Sequence, residues 1–235
     1  MRLWLVFLSV IALQAGNANA YAQAGNTVKA APTGVFSSYE VKSGGIDSFP
    51  NWTRVLARIQ TEEATYAACD KSVDKCQTPQ LRAWRAFLHQ TRKDKTLSEL
   101  EVIKAVNAFA NRWPYRSDMQ IWGKSDYWAS PLEFIAKNGD CEDFAILKYV
   151  SLKALGYGDD RLRLVVVRDV IRQIGHAVLA VYPKVQGGTV YVLDSLVTDV
   201  LPDTGFLQYD PYYSINATTR WIHIPAKKHS TLLKK

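Results

Sequence analysis

Three residues have the types and settings that nucleophilic catalysis needs. Cys141 lies in Gly139-Asp140-Cys141-Glu142-Asp143-Phe144, which runs straight into the helical pattern of residues 145–150. At a helix start, unpaired backbone N–H groups and the helix dipole favour the thiolate over the thiol. His176 follows in Gly175-His176-Ala177, and Asp194 in Val192-Leu193-Asp194-Ser195. A thiolate attacks a carbonyl carbon, an imidazole carries the proton, and a carboxylate fixes the imidazole tautomer. Cys, His and Asp in that order, on a helix and then on strands, suit a cysteine hydrolase or acyl transferase. The other histidines are placed worse: His89 on a polar helix face, His223 in a late strand, His229 among the basic residues at the end.

Asp140, Glu142 and Asp143 crowd the thiol, and they admit two readings. Acids at an N-cap and first turn stabilise a helix by capping its free N–H groups and complementing its dipole. Three negative charges also oppose the thiolate, and a bound hard cation such as Ca²⁺ removes that conflict by taking carboxylate oxygens as ligands. The spacing is not that of an EF-hand loop. Glu62 is read as a distant acid with no part in the site. The backbone N–H of Cys141 is a candidate oxyanion donor, with a Trp or Tyr as the second.

The elements that must position these residues follow from periodicity. Apolar residues at helical spacing predict helices over 52–68, from Pro79 through Leu88, and from a Ser98/Glu101 capping box to a stop before Pro114. Residues 113–134 read as a loop rich in aromatics (Trp113, Tyr115, Trp122, Tyr127, Trp128, Phe134), which suits either core packing or a groove beside the nucleophile. Beyond Leu155-Gly156 the pattern changes to strands over 162–168, 177–182, 189–193 and 220–224. Helices first and an antiparallel meander after give an α+β fold, with the Cys helix packed on the sheet.

The 235 residues divide into a leader (1–20), a flexible arm rich in Ala, Gly, Ser and Thr (21–50), one domain (51–225) and a basic tail (226–235). Arg2, the apolar run 3–13 and Ala18-Asn19-Ala20 form a signal peptide with its cleavage site. About eleven apolar residues are too few to span a bilayer, which takes about 20, so the expectation is an exported protein that does not span the membrane. The net charge of +7 is scattered over helix faces and the tail, without a recognition motif or phosphate loop, and no nucleic-acid partner is expected. Three cysteines in an exported chain suggest one bridge, Cys69–Cys76 around a polar turn, leaving Cys141 free.

Asn138-Gly139-Asp140-Cys141-Glu142-Asp143-Phe144-Ala145, with Lys148-Tyr149 and Leu155-Gly156-Tyr157 behind it, resembles the bacterial transglutaminase-like cysteine proteinases, in particular the LapG-type periplasmic proteases. Trp128-Ala129-Ser130-Pro131, Gly175-His176-Ala177-Val178-Leu179 and Leu193-Asp194-Ser195 fit the same pattern, and the likeness spans residues 50–225. The resemblance implies a papain-like, transglutaminase-like fold and a Cys141/His176/Asp194 endopeptidase in the periplasm. It implies Ca²⁺ held by Asp140, Glu142 and Asp143, which favours the cation reading over capping alone. The implied substrate is the N-terminal region of a large cell-surface adhesin, whose release disperses a biofilm. The implied partner is an inner-membrane cyclic-di-GMP receptor of the LapD type. The other readings are an acyl transferase that cross-links amines, and a non-catalytic binding module on the same fold.

Overall fold

A computed structural model describes residues 34–226 apart from Gln186. The leader, residues 21–33 of the arm and residues 227–235 of the tail lie outside the described residues. The elements are β1 (Ser38–Lys42), α1 (Pro50–Lys71), α2 (Pro79–Lys93), α3 (Glu99–Ala110), α4 (Asp118–Trp122), α5 (Pro131–Lys137), α6 (Cys141–Ala154), β2 (Leu162–Asp169), β3 (Ile174–Val181), β4 (Tyr191–Leu193), β5 (Leu201–Pro202), β6 (Tyr209–Ile215) and β7 (Arg220–Pro225). All strand pairs are antiparallel, in the order β1-β7-β6-β2-β3-β4-β5. Helices followed by an antiparallel sheet make the α+β architecture expected from the pattern.

The helix that begins at Cys141 is the centre of the core. Residues 142–152 of α6 are all buried, because the helix packs on β3 and β2 on one side and on α3 and α5 on others. A helix enclosed this way is apolar around its whole circumference, which is why Phe144, Ile146, Leu147 and Leu152 do not form a single stripe. Burying each such side chain contributes about 1.5–3 kcal/mol. The helix stops at a Schellman motif: Gly156 takes φ +96°, Tyr157 N–H donates to the Leu152 carbonyl at 3.0 Å, and Gly156 N–H to that of Lys153 at 3.0 Å. Trp84 ties α2 to α6 by donating to Ser151 Oγ at 2.9 Å, and Trp52 ties α1 to the turn after β6 through the Asn216 carbonyl at 2.7 Å. A second cluster, with Phe36, Val165, Val178, Val192 and Tyr209, forms a separate apolar core.

The structure adds strands in the expected arm and in a stretch where the sequence pattern predicts no element. Residues 38–42, inside the segment expected to be a flexible arm, pair with β7. The side chains that hold β1 are polar: Ser38 Oγ lies 2.8 Å from His223 Nδ1, and Glu40 accepts from Arg163 at 2.6 Å and from the Tyr182 hydroxyl at 2.6 Å. A hydrophobic pattern cannot reveal a strand anchored this way. In β6 the register against β2 shifts between Val166 and Val167, where Tyr213 and Pro211 are the partners. Pro211 has no N–H to donate, and the strand bulges there. Cys69 and Cys76 are bridged and Cys141 is free. Closing so short a loop contributes roughly 2 kcal/mol in the chain-entropy model.

Candidate active site

His176 and Asp194 meet because of the β3–β4 register. Leu179 pairs with Leu193, which sets residue 194 across from Val178, on the same sheet face as His176 and two residues along. His176 Nε2 and Asp194 Oδ1 are 2.8 Å apart, with the His176 side chain 3% exposed and that of Asp194 fully buried. Asp194 Oδ1 also accepts from the Leu196 N–H at 2.9 Å, and Oδ2 from the Tyr209 hydroxyl at 2.6 Å. Burial alone raises this carboxyl, but the hydrogen bond and charge of His176, with those two further donors, bring it below the usual aspartate range. A carboxylate that stays ionised fixes the proton on Nε2 and leaves Nδ1 as the free base nitrogen of the neutral ring.

Cys141 opens α6, and the N–H of Ala177, the neighbour of His176, reaches its sulfur. The thiol and the imidazole therefore flank one backbone position. Gly139 is required here: a Cβ at that residue would lie 2.1 Å from Asp143 Oδ2. Asp143 uses that space to accept from the Ala129 N–H at 2.6 Å and the Asp140 N–H at 3.3 Å, fastening residues 129–130 to the head of the helix. The Gly139 carbonyl accepts from Arg116 N–H at 2.8 Å, which brings residues 115–118 alongside.

That contact adds two acids to the three seen in sequence. Carboxylate oxygens of Asp118, Asp126 and Glu142 lie within 4.8 Å of one another, as do those of Asp118, Asp140 and Asp143. Burial and then mutual repulsion raise these groups: Asp118 to about 6, and Glu142 and Asp143 upward as well. The thiol is also pushed up, by burial first and then by Glu142, whose Oε2 is 3.2 Å from the sulfur, and by Asp140. Asp118 Oδ1 and Asp140 Oδ1 are buried with no hydrogen-bond partner. The carboxylates, with excess negative charge and orphaned oxygens, make a donor set that fits Ca²⁺. Asp118 and Asp126 carry no sequence signal. They sit 22 and 14 residues before Asp140, in a stretch that reads as loop, and only the pairing of Tyr115 with Gly139 delivers Asp118 to the helix end.

The aromatic segment divides between the two readings. Trp113 and Phe134 pack against each other and Phe134 against Phe144, at 6.1 and 4.8 Å between ring centroids, while Trp128 packs on Trp52 at 6.2 Å. Tyr115 is the ring that comes toward Cys141: it stacks on Phe144 at 6.3 Å and is half exposed. Its phenol is raised by burial and by the negative groups around it, Cys141 foremost among them. Sequence reasoning missed Tyr209 and also Asn111, whose amide donates to the Asp194 carbonyl at 2.9 Å and holds that segment against α3. Glu62 lies outside these acid groups but has a structural part of its own. It is buried, accepting from the Tyr66 and Ser130 hydroxyls and from Leu132 N–H at 3.3 Å, and so anchors the start of α5. His223 is structural, buried between the Ser38 and Ser214 hydroxyls at 2.8 Å each, and burial lowers it to about 4.

Comparison with known proteins places this geometry. The family model of the bacterial transglutaminase-like cysteine proteinases matches residues 59–229. Among solved structures, EGTA-treated LapG of Legionella pneumophila is similar at 31% identity, covering 72% of this chain and 87% of that one, with a TM-score of 0.57. Calcium-bound LapG of the same organism is similar at 35% identity over 65% of this chain and 82% of that one, with a TM-score of 0.54. A search of curated proteins returned no match. A family match over most of the chain, together with the shared fold of LapG, leaves one conclusion: the chain belongs to the bacterial transglutaminase-like cysteine proteinases, as a protease of the LapG type.

Proposed function

We propose that this protein is a calcium-dependent cysteine endopeptidase of the periplasm, exported by its leader, that cleaves the N-terminal region of a large cell-surface adhesin and so releases cells from a biofilm. Cys141 is the nucleophile, His176 the general base and acid, and Asp194 the group that orients the imidazole. The observation that carries this reading is the buried His176–Asp194 pair at 2.8 Å, next to a sulfur that the following residue's N–H already touches.

The chemistry runs as a balanced acyl transfer. His176 takes the thiol proton, and the sulfur attacks the scissile carbonyl. The tetrahedral oxyanion is met by the backbone N–H at the start of α6. The imidazolium then protonates the leaving amine, the C–N bond breaks, and a thioester remains. Water, deprotonated by the same imidazole, hydrolyses the thioester and returns the thiol. Throughout, Tyr209, Leu196 and Asn111 keep Asp194 in place.

Asp118, Asp126, Asp140, Glu142 and Asp143 are the residues that would hold Ca²⁺, in keeping with the calcium-bound LapG to which the chain is similar. When bound, the ion supplies positive charge that offsets the carboxylates around the thiol. The partner proposed from the resemblance is a cyclic-di-GMP receptor of the LapD type in the inner membrane. Incubating the purified mature protein with N-terminal fragments of candidate adhesins, with and without chelator, tests the reading. A new N-terminus on the fragment, formed only without chelator, is expected. An isopeptide bond or released ammonia instead would make the protein an acyl transferase.

A further inference from the structure

Gly175, the residue before His176, is a glycine that the fold does not ask for. Gly139 is needed because a Cβ there would clash with Asp143, and Gly156 because its φ is positive. At Gly175 neither holds: its φ is negative, and a Cβ built on it meets no atom within 4 Å. Among the described glycines it alone combines the two. Inside a strand a glycine costs stability through its backbone freedom and packs nothing. It commonly marks a place where a ligand or another backbone comes close. Gly175 is exposed in β3, and His176 is buried beside it.

The sheet fixes which space lies in front of it. Leu179 and Val181 pack into the core cluster that contains α6, whereas Val178 and Ala180 belong to the cluster on the opposite face. Side chains alternate along a strand, so position 175 shares the α6 face with Ala177 and Leu179. Ala177 is buried and its N–H reaches the Cys141 sulfur. Gly175 lies two residues, about 7 Å, further along the strand, past the head of the helix. A side chain there would stand in front of the thiol.

The backbone of Gly175 is open as well. In antiparallel pairing, successive residues turn their N–H and C=O groups alternately toward one neighbour and the other. Tyr182, just after β3, donates its N–H to the Arg161 carbonyl at 2.7 Å, so the even-numbered residues of β3 bond toward β2. Val170 N–H donates to the Gln208 carbonyl at 2.9 Å, so Arg168, the register partner of Gly175, bonds toward β6. Both bonds lead to the same result. The N–H and C=O of Gly175 point to the far edge of β3, where β4 pairs with Leu179, Ala180 and Val181 and no further. Along that edge the sulfur takes the Ala177 N–H, and Gly175 comes next.

We propose that the scissile segment of the substrate lies extended along this open edge of β3, and that Gly175 is the residue that admits it. The missing side chain leaves the substrate's main chain room in front of Cys141, and the Gly175 carbonyl and N–H bond to that main chain. The ligand recognised at this position is thus an extended peptide backbone, read independently of its side chains. The inference rests on the endopeptidase reading and deepens it by naming the form in which the substrate binds.

Gly175→Val in the full mature chain is the direct test, with Gly175→Ala as the milder variant. Valine suits an open strand position, so the melting temperature should hold or rise. A large fall would show that the position is not open and would overturn the proposal. Cys141 is then alkylated with two probes: iodoacetamide, and an acetylated trialanine chloromethyl ketone, whose methyl side chains leave docking to its main chain. The peptide reagent should react about tenfold more slowly with Gly175→Val than with wild type, and by a smaller factor with Gly175→Ala. Iodoacetamide should react with both variants at the wild-type rate. A wild-type rate for the peptide reagent, or an equal loss with both reagents, overturns the proposal. Alkylation needs no turnover, so the two readings fail separately. Selective loss in a protein that cleaves no adhesin fragment would sink the endopeptidase reading and leave the docking edge standing. Wild-type cleavage by Gly175→Val would sink the docking edge and leave the endopeptidase.

Discussion

Two groups of carboxylates flank the thiol, and the fold treats them in opposite ways. Asp194 is buried and has three donors, two on Oδ1 and one on Oδ2, so its carboxyl is lowered in spite of burial. Asp118, Asp140, Glu142 and Asp143 are crowded at the head of α6, two of their oxygens have no donor, and Asp118, Glu142 and Asp143 are raised. The difference is one of supply. Where the protein brings its own hydrogen bonds, a buried acid is a fixed anion that can orient a ring. Where acids outnumber the donors that reach them, burial and mutual repulsion raise the carboxyls, and the site holds negative charge of the kind a hard cation balances. Beyond its burial, the thiol is raised by the second group, through Glu142 and then Asp140.

The largest effect tests whether the thiol and the ring are the reacting groups at all. Cys141→Ala and His176→Ala should each remove turnover to background, with the fold kept, since both sites are held by backbone geometry. Cleavage of an adhesin fragment, followed by mass spectrometry, is the measurement; wild-type rates in Cys141→Ala would end the mechanism. Next in size is removal of the cation. Chelation should stop cleavage and slow alkylation of Cys141 at neutral pH, because Glu142 and Asp140 then hold the thiol protonated, and added calcium should restore both. Asp118→Ala and Glu142→Ala should lose calcium binding by calorimetry, whereas Glu63→Ala, on an exposed position of α1, should not. Full activity in chelated, metal-free protein would reduce the acids to helix caps.

The well-supplied acid is tested by removing its supply. Asp194→Asn should cost roughly 10²- to 10⁴-fold in kcat, because the ring loses its fixed tautomer while the thiol remains. Tyr209→Phe removes a single hydrogen bond to an ionised group, worth about 1.5–3 kcal/mol, and should cost roughly ten- to a hundredfold in kcat with little change in KM. Equal losses in the two variants would mean that Tyr209 acts on the reaction directly instead of through Asp194.

The asymmetry between the two groups also explains what the sequence could reveal. Cys141, His176 and Asp194 are legible because a helix-starting thiol and strand-borne partners leave local marks: a Gly-Asp lead-in, an apolar helix, alternating strands. Asp140, Glu142 and Asp143 are legible as acids near a thiol, but capping and metal binding look alike in sequence. Asp118 and Asp126 are not legible, since a parallel bridge between Tyr115 and Gly139 is what carries the distant segment to the site. The same holds for Tyr209, which follows an unremarkable loop and reaches Asp194 only through the β2–β6 pairing. Strand β1 escaped for a related reason, its anchors being Ser38 and Glu40 in a buried polar network and not an apolar face. Local chemistry is written locally; contacts made by tertiary pairing are not.

The smallest effect, and the one most specific to the acid cluster, is on stability as a function of pH. Asp118 ionises near 3.8 in an unfolded chain and at about 6 in the fold, and Glu142 and Asp143 are raised too. Between those values the folded protein holds more protons than the unfolded one, so this cluster destabilises the metal-free fold progressively as pH rises from 4 through 6 and above. Two other sets of groups act on the same curve. Glu40, Asp169 and Asp194 are lowered, and the stability they add is lost only as pH falls below their ordinary range, around 4. His223, lowered to about 4, adds stability as pH rises from 4 to about 6.5. None of these is a calcium ligand, so they contribute equally with and without the ion. The gain in Tm on adding calcium to chelated protein should therefore be small near pH 4 and grow steadily to pH 7, as protons give way to the cation. In Asp118→Asn that growth should flatten. A calcium-induced shift in Tm that stays constant from pH 4 to 7 would mean that the ion, wherever it binds, does not replace protons on these carboxylates.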